Sequence, residues 1–460
     1  MTPDLTNPRS PVRAWRLAPA IIAALFALAV LPVAFFGTDA TVLGERAASE
    51  AIDELDAHLP VIRQFAAELP APDLVGYRSA TAPGYHVVMA IPARLGLGVP
   101  GLRFLGSLAG LALVLVAWRV AARAAGPWAA AVLVAPLACS TYVLSGSAWL
   151  TTDMASMAIG TSAIAIAACW RPEPRTFLAL GALFAAALLV RQTNVFLAAP
   201  ILAAGILGSP LGRSVSNAEQ WHGDEPRRWS RLAMAIACLV PGLSALGALV
   251  TAWGGLTPPA FRELHDAGLS PVAPAYGLAL VGLWGAFLLL PMRESVVAAL
   301  RTHGAAIAAV AIAVAVVAAV PESTTDRDAG RWGGALWRLA ALVPPVAGRS
   351  PAIVLGAALG SVVLAVLLGR AARTGRGRAA AVVVMALLAL FAAQSANSQV
   401  WERYFDPSIL VALAWLAALG TPRAGLGDTT QACVGMVLLA LAQLAISALN
   451  YWTVAFLTSP

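Results

Sequence analysis

Long apolar runs, each broken by a short polar stretch, cover most of the chain. A bilayer-spanning helix needs about 20 mostly apolar residues. Runs near that length, some shorter, occur at Pro19–Phe36, Phe104–Trp118, Pro127–Leu144, Met154–Trp170, Thr176–Val190 and Val195–Leu207. They resume at Leu232–Trp253, Ala273–Leu290, Ala305–Val320, Ala352–Leu368, Ala379–Ala393, Pro407–Leu419 and Cys433–Phe456. The pattern predicts an all-α polytopic integral membrane protein with about 12–14 spanning helices. His86–Leu97 is too short and too rich in Pro and Gly to cross, so a juxtamembrane or re-entrant helix is expected. His58–Leu69 is amphipathic and is expected to lie in the membrane interface.

Composition agrees. Of 460 residues, 60% are hydrophobic and 12% charged, against roughly 25% charged in soluble domains. The net charge of +7 comes from arginine alone; the chain has no lysine. That bias suggests a GC-rich bacterial genome. No basic, aromatic surface domain is available for nucleic acid. Cys139, Cys169, Cys238 and Cys433 lie in or beside apolar runs without paired spacing, which makes them packing residues.

Arginine sets the expected topology. Arg9, Arg13 and Arg16 precede the first span, which lacks an Ala-x-Ala cleavage site and reads as uncleaved. Further clusters fall at Arg119/Arg123, Arg171/Arg175, Arg213 with Arg227/Arg228/Arg231, Arg293/Arg301, and Arg370 to Arg378. Placing these in the cytoplasm sends six loops outward together: Gly37–Pro83, Ser145–Asp153, Arg191–Asn194, Gly254–Val272, Pro321–Ser350 and Gln394–Asp406. The polar stretch 213–231 reads as a cytoplasmic linker between an N-terminal module (1–212) and a C-terminal one (232–460). The expected location is the bacterial cytoplasmic membrane, with the active site facing outside.

The candidate chemistry sits on those outward loops. Asp53, Glu54 and Asp56 fall within one helical turn, followed by His58, and carboxylates near lipid mark function more often than decoration. A solvated acidic loop has the same composition. Asp153, after Thr151-Thr152, suits a helix N-cap as well as a substrate contact. Arg191-Gln192-Thr193-Asn194 places an arginine where the topology disfavours one, and a guanidinium binds phosphate bidentately. Arg327 and Arg331 lie among acids and aromatics, as does Arg403 with Tyr404. Local ion pairs and an aromatic belt would produce the same pattern. No phosphate-binding Gly-x-x-x-x-Gly-Lys loop, His-Glu-x-x-His or Cys-x-x-Cys occurs, so ATP-driven transport, zinc hydrolysis and thiol exchange lack support. The acids leave room for a divalent metal, but no ligand set is specific enough to assign one.

The order of these motifs resembles the dolichyl-phosphate-glucose-dependent α-1,2-glucosyltransferases. Asp53-Glu54 with His58, Thr81-Ala82-Pro83-Gly84-Tyr85, Leu102-Arg103-Phe104, Thr152-Asp153, Arg191-Gln192-Thr193-Asn194 and Arg403-Tyr404-Phe405 carry the likeness, from about Ala51 to Phe405. The family pattern is Asp-Glu-x-Phe-His, so the spacing to His58 is one residue longer here, and Asp53, Glu54 and Asp56 stay open as the base. The resemblance implies a GT-C-type polytopic glycosyltransferase using a polyprenyl-phosphate sugar, with a first-loop carboxylate as base.

The expected reaction is inverting transfer of a hexose, glucose in that family, to a lipid-linked or envelope glycan acceptor. Arg191 and Arg403, with Arg327 or Arg331, would face the phosphate. Asp153, Gln192 and Asn194 would orient sugar hydroxyls, and His58 and Tyr404 would complete the site. The rivals are a lipid-sugar flippase or transporter, whose ionisable groups belong near mid-membrane, and a GT-C enzyme with a protein or lipid-A-type acceptor.

Overall fold

In the computed structural model the described residues are 9–37, 49–208, 225–263, 268–422 and 426–455. Helix dominates them, and strand pairing among them is limited to two isolated bridges, Asp326 with Arg331 and Val346 with Arg349. α1 is Arg9–Phe36; α2 (Ser49–Asp53), a π-helical turn (Glu54–His58) and α3 (Leu59–Glu68) follow. Next come α4 (Gly84–Arg94), α5 (Val99–Ala125), α6 (Pro127–Cys139), α7 (Thr141–Ala148), α8 (Asp153–Cys169), α9 (Pro174–Val190) and α10 (Ala198–Leu207). The remainder holds α11 (Glu225–Trp253), α12 (Ala273–Leu289), α13 (Arg293–Ala318), α14 (Ala335–Leu342), α15 (Pro351–Arg373), α16 (Gly377–Gln394), α17 (Asp406–Leu419) and α18 (Leu426–Ser447).

The protein is an all-helical, multi-pass membrane protein. Among the described residues seven helices are long and apolar enough to cross a bilayer, or eight if α6 and α7, bent by 68°, form one broken span. Five more apolar helices, α8, α9, Gln192–Leu207, α12 and α17, have 10–17 residues. At about 1.5 Å per residue all five fall short of a hydrocarbon core of about 30 Å. Each apolar run in the sequence coincides with one of these elements, but fewer reach full spanning length than the 12–14 expected. His86–Leu97 belongs to the short α4 and its exit turn.

Burial separates lipid-facing from packed helices. α13 buries almost none of its span and exposes Val310, Ile312, Val316 and Val317, which lipid tolerates and water would not. α17 is apolar and buried on every side, as a helix at the centre of a bundle must be. It packs on α5 and α6, while α18 packs on α6 and α12. One apolar core therefore runs from Ala18 to Tyr451, through both modules expected from sequence. Most of the expected linker between them, residues 213–224, lies outside the described residues.

The two ends of the bundle differ in chemistry. At one end the arginine clusters close the helix ends: Arg376 donates to Ala124 O (3.3 Å) and Thr421 O (3.1 Å), and Arg370 to Ser295 Oγ (2.7 Å). At the other end the six loops that the arginine pattern groups are tied together. Ser270 N donates to Ser395 O (2.7 Å), Val400 N to Gly330 O (3.0 Å) and Trp253 Nε1 to Leu74 O (2.8 Å). The amphipathic helix of the first loop is α3, which buries Val61, Ile62 and Phe65 and exposes Arg63.

Candidate active site

The acid-rich segment occupies the π-helical turn. A π-turn holds one residue more than an α-turn and commonly marks a functional site. The extra residue between Asp53-Glu54 and His58 is taken up there. The turn separates neighbouring acids sharply. Asp53 and His58 line a cavity of ≈ 290 Å³ at the loop end, together with Ala57. Glu54 faces the protein, and Asp56 is exposed.

Glu54 is fully engaged. Its carboxylate accepts Arg103 Nε at 3.0 Å on both oxygens and Arg103 Nη2 at 2.5 Å, and it also accepts the Leu150 backbone N–H at 2.7 Å. Arg103 lies 4.2 Å from the centre of the Trp149 ring. A buried, bidentate pair with a third donor is a structural tie between the π-helical turn, α5 and the α7–α8 turn. Neither Glu54 nor Asp56 lines the cavity.

Asp53 is the acid that faces it. Its Oδ2 lies 2.6 Å from Arg403 Nη1, and its side chain keeps one-third of its surface exposed. Arg191, on the other side, pairs with Asp153. Both guanidiniums lie against Tyr404, Arg191 at 5.3 Å and Arg403 at 5.1 Å from the ring centre, and Arg403 also stacks over Trp401 at 4.6 Å. Arg403 Nη2 donates to Tyr404 Oη at 3.2 Å. Asp53, His58, Arg191, Gln192, Arg403 and Tyr404 thus share one cavity, closed by Leu256, Thr257 and Phe261.

Gln192 and Asn194 spend their amides on architecture. Gln192 Nε2 donates to Ala80 O (2.7 Å) and Leu256 O (2.8 Å), while its Oε1 accepts the Ala82 N–H (3.2 Å). One side chain thereby clamps two loops from distant parts of the chain at the cavity wall. Asn194 Nδ2 donates to Ser156 Oγ and Ala187 O, both at 2.8 Å. It lines a smaller hollow of ≈ 40 Å³ that shares Arg191, Thr193 and Tyr404 with the main cavity and continues past Ile164 and Leu390. The Pro83-Gly84 start of α4 has a steric cause. A Cβ at Gly84 would stand 2.6 Å from Leu189 O, so glycine permits α4 to touch α9.

The chain's similarity to known proteins falls on part of this site. A family described as dolichyl-phosphate-mannose-protein mannosyltransferase matches residues 81–224. The match covers under a third of the chain. Arg103, Asp153, Arg191, Gln192 and Asn194 lie inside it; Asp53, Arg403 and Tyr404 lie outside. No curated protein matches. Among solved structures, ArnT from Cupriavidus metallidurans in the apo state is similar at 14% identity and a TM-score of 0.39, over 93% of this chain and 78% of that one. The same protein bound to undecaprenyl phosphate gives 16% and 0.36, over 95% and 79%. An oligosaccharyltransferase from Archaeoglobus fulgidus gives 12% and 0.35, over 82% and 56%. Likenesses this distant supply no residue correspondences.

Two expected site residues sit elsewhere. Arg327 is exposed and stacks on Trp332 at 4.9 Å. Arg331 donates to Thr324 O (2.8 Å), with Asp326 and Glu322 at 3.5 and 3.6 Å. Both belong to a tight loop that pairs with itself through the Asp326–Arg331 bridge, and neither lines the cavity. Among the described residues no group of three or more His, Cys, Asp or Glu is placed to hold a metal ion.

Sequence reasoning assigned no role to three buried acids and one histidine. Glu50 accepts Ser145 Oγ at 2.8 Å, Asp406 accepts Ser140 Oγ at 2.7 Å, and His86 meets His58. Glu402, beside Arg403, accepts Leu336 N–H (2.9 Å) and Tyr276 Oη–H (3.3 Å), which fixes the start of α14. The usable signal was a carboxylate in a lipid-rich chain flanked by aromatics.

Burial, with the Asp406 carboxylate next to it, pushes Glu402 up to about 8. The folded form then holds a proton that the unfolded chain, near 4.5, has released. Stability should therefore fall as pH rises from about 5 towards 8. Glu402→Gln should flatten this slope in melting curves of the detergent-purified protein. An unchanged slope would assign the proton to another group.

Proposed function

We propose that this chain is a glycosyltransferase that takes a hexose from a polyprenyl-phosphate sugar and passes it to a lipid-linked or envelope glycan. The reaction would take place on the outer face of the bacterial cytoplasmic membrane. One observation carries the reading: a carboxylate, Asp53, and two guanidiniums, Arg191 and Arg403, converge on one cavity around Tyr404. The similarity of residues 81–224 to a dolichyl-phosphate-mannose-using family supports the reaction class. The sugar is part of the proposal, since the matching family uses mannose and the motif resemblance implies glucose.

In the proposed step an acceptor hydroxyl attacks the anomeric carbon, forming the new glycosidic C–O bond. The bond from that carbon to the phosphate oxygen breaks, and the polyprenyl phosphate leaves with the electron pair. The hydroxyl proton passes to the Asp53 carboxylate, within whose reach the acceptor must lie. Attack opposite the leaving group inverts the anomeric centre. Negative charge grows on the phosphate oxygens, and fixed guanidiniums beside them stabilise it. Asp153 would serve by holding Arg191, and Gln192 and Asn194 by holding the cavity walls. Glu54 would serve by locking the turn that presents Asp53 and His58.

Both guanidiniums are paired with acids, Arg191 with Asp153 and Arg403 with Asp53. A phosphate arriving at Arg403 would draw it from Asp53, so donor binding itself would free the base. Arg403→Gln should therefore lower kcat/KM for a polyprenyl-phosphate hexose about a hundredfold, the order found when one charge-stabilising donor is lost. The assay is transfer of labelled hexose into lipid or glycan in membranes carrying the protein. Lipid-sugar crossing the bilayer without any bond being made would overturn the reading in favour of a flippase.

A further inference from the structure

The chain has five histidines, and two of them meet at the cavity wall. His58 Nδ1 lies 3.0 Å from His86 Nε2, with the rings stacked at 5.2 Å and 28°. His58 lines the cavity; His86 stands behind it, wholly buried among the rings of Phe65, Tyr77 and Tyr85. His86 Nδ1 has no hydrogen-bond partner among the described residues. We infer that His86 is a positioning residue: it donates its Nε2–H to His58 Nδ1 and so fixes His58 in the tautomer whose Nε2–H points to the bound substrate.

Two nitrogens 3.0 Å apart share one hydrogen, so one ring donates and the other accepts. If His58 donated, His86 would carry its own hydrogen on Nδ1 and bury an N–H with no acceptor. Orphaned buried N–H groups are rare and costly. If His86 donates, only a lone pair at its Nδ1 goes unused. The second arrangement leaves His58 with its hydrogen on Nε2, the nitrogen not occupied by His86.

The cavity fits that role. Burial, then Arg191 and Arg403, lower the His58 pKa to about 3, so the ring is neutral and a poor proton acceptor. What it can offer is a directed N–H. The inference rests on the transferase reading for the identity of the acceptor, which would be a sugar hydroxyl or a phosphate oxygen. Its geometry stands apart from that reading. A purely structural role for His86 would demand shape and not a donor, which makes the two separable.

The test uses the full-length protein in lipid, labelled with 15N only on histidine. Imidazole 15N shifts report which nitrogen carries hydrogen, and His58→Gln and His86→Gln spectra assign the two rings. Both wild-type rings should be neutral and protonated on Nε2. In His86→Leu the His58 signal should shift towards a tautomer mixture, and His86→Gln, which can still donate, should restore it. A His58 protonated on Nδ1 in the wild type, or a His58 signal unchanged by leucine, overturns the inference. In transfer assays with a polyprenyl-phosphate hexose, His86→Leu should lower kcat about tenfold, the scale of one hydrogen bond made at the transition state. His86→Gln should recover most of that loss. Equal rates for the two variants would also overturn it. Loss of all transfer in the wild type, with the tautomers as stated, would sink the transferase reading alone.

Discussion

Asparagine at position 53 should reduce hexose transfer about a thousandfold while leaving folded protein at its normal level, since a positioned general base contributes roughly 10²–10⁴ in rate. The substitution keeps the shape of the side chain and removes only its basicity. Arg403 keeps the Tyr404 hydroxyl and the two rings it stacks on, and Asp53 is partly exposed. The folded state therefore has little to lose. The measurement pairs transfer rate with melting temperature on the same preparation. Full activity in the variant would move the base to another residue.

The neighbouring substitution, Glu54→Gln, should fail in the opposite way. Glutamine puts an N–H₂ where Arg103 needs an acceptor, leaving a buried guanidinium facing a donor. Breaking a buried pair by neutralising one partner costs about 3–5 kcal/mol. The melting temperature and the yield of folded protein should drop markedly, while the surviving folded fraction keeps most of its activity per molecule. An unchanged melting temperature with activity lost would mean that Glu54 itself reacts. Measured together, the two variants separate a reacting acid from a load-carrying one a single residue away.

That separation was beyond the sequence. Asp53, Glu54 and Asp56 read alike as a cluster of acids, and their phase around the helix decides which one meets the cavity. The π-turn alters that phase, and one residue of extra spacing is its only trace in the sequence. The apolar runs were easier to read, because lipid imposes a length and a composition on each helix. Their spanning count was less so, because packed elements such as α17 are as apolar as lipid-facing ones but shorter. Arginine spacing grouped six loops that hydrogen bonds tie together at one end of the bundle, a purely topological inference. It could not distinguish Arg403, which enters the cavity, from Arg327 and Arg331, which pair within their own loop. Gln192 looked like a sugar-binding side chain because it is polar in an apolar setting. Backbone groups at Ala80, Ala82 and Leu256 use that polarity instead. His86 went unread because a lone histidine means little until the fold gives it a partner.

The Asp53–Arg403 contact joins residues 350 positions apart. A membrane protein enters the bilayer from its N-terminus as it is made, so Asp53 is in place long before Arg403 has been synthesised. Until α16 and the loop after it arrive, the first-loop acid has no cation to meet and the cavity has no far wall. A nascent or prematurely terminated chain would therefore be inert towards lipid-linked sugars however well its first helices insert. The proposed activity would be tied to completion of the chain by the order of translation.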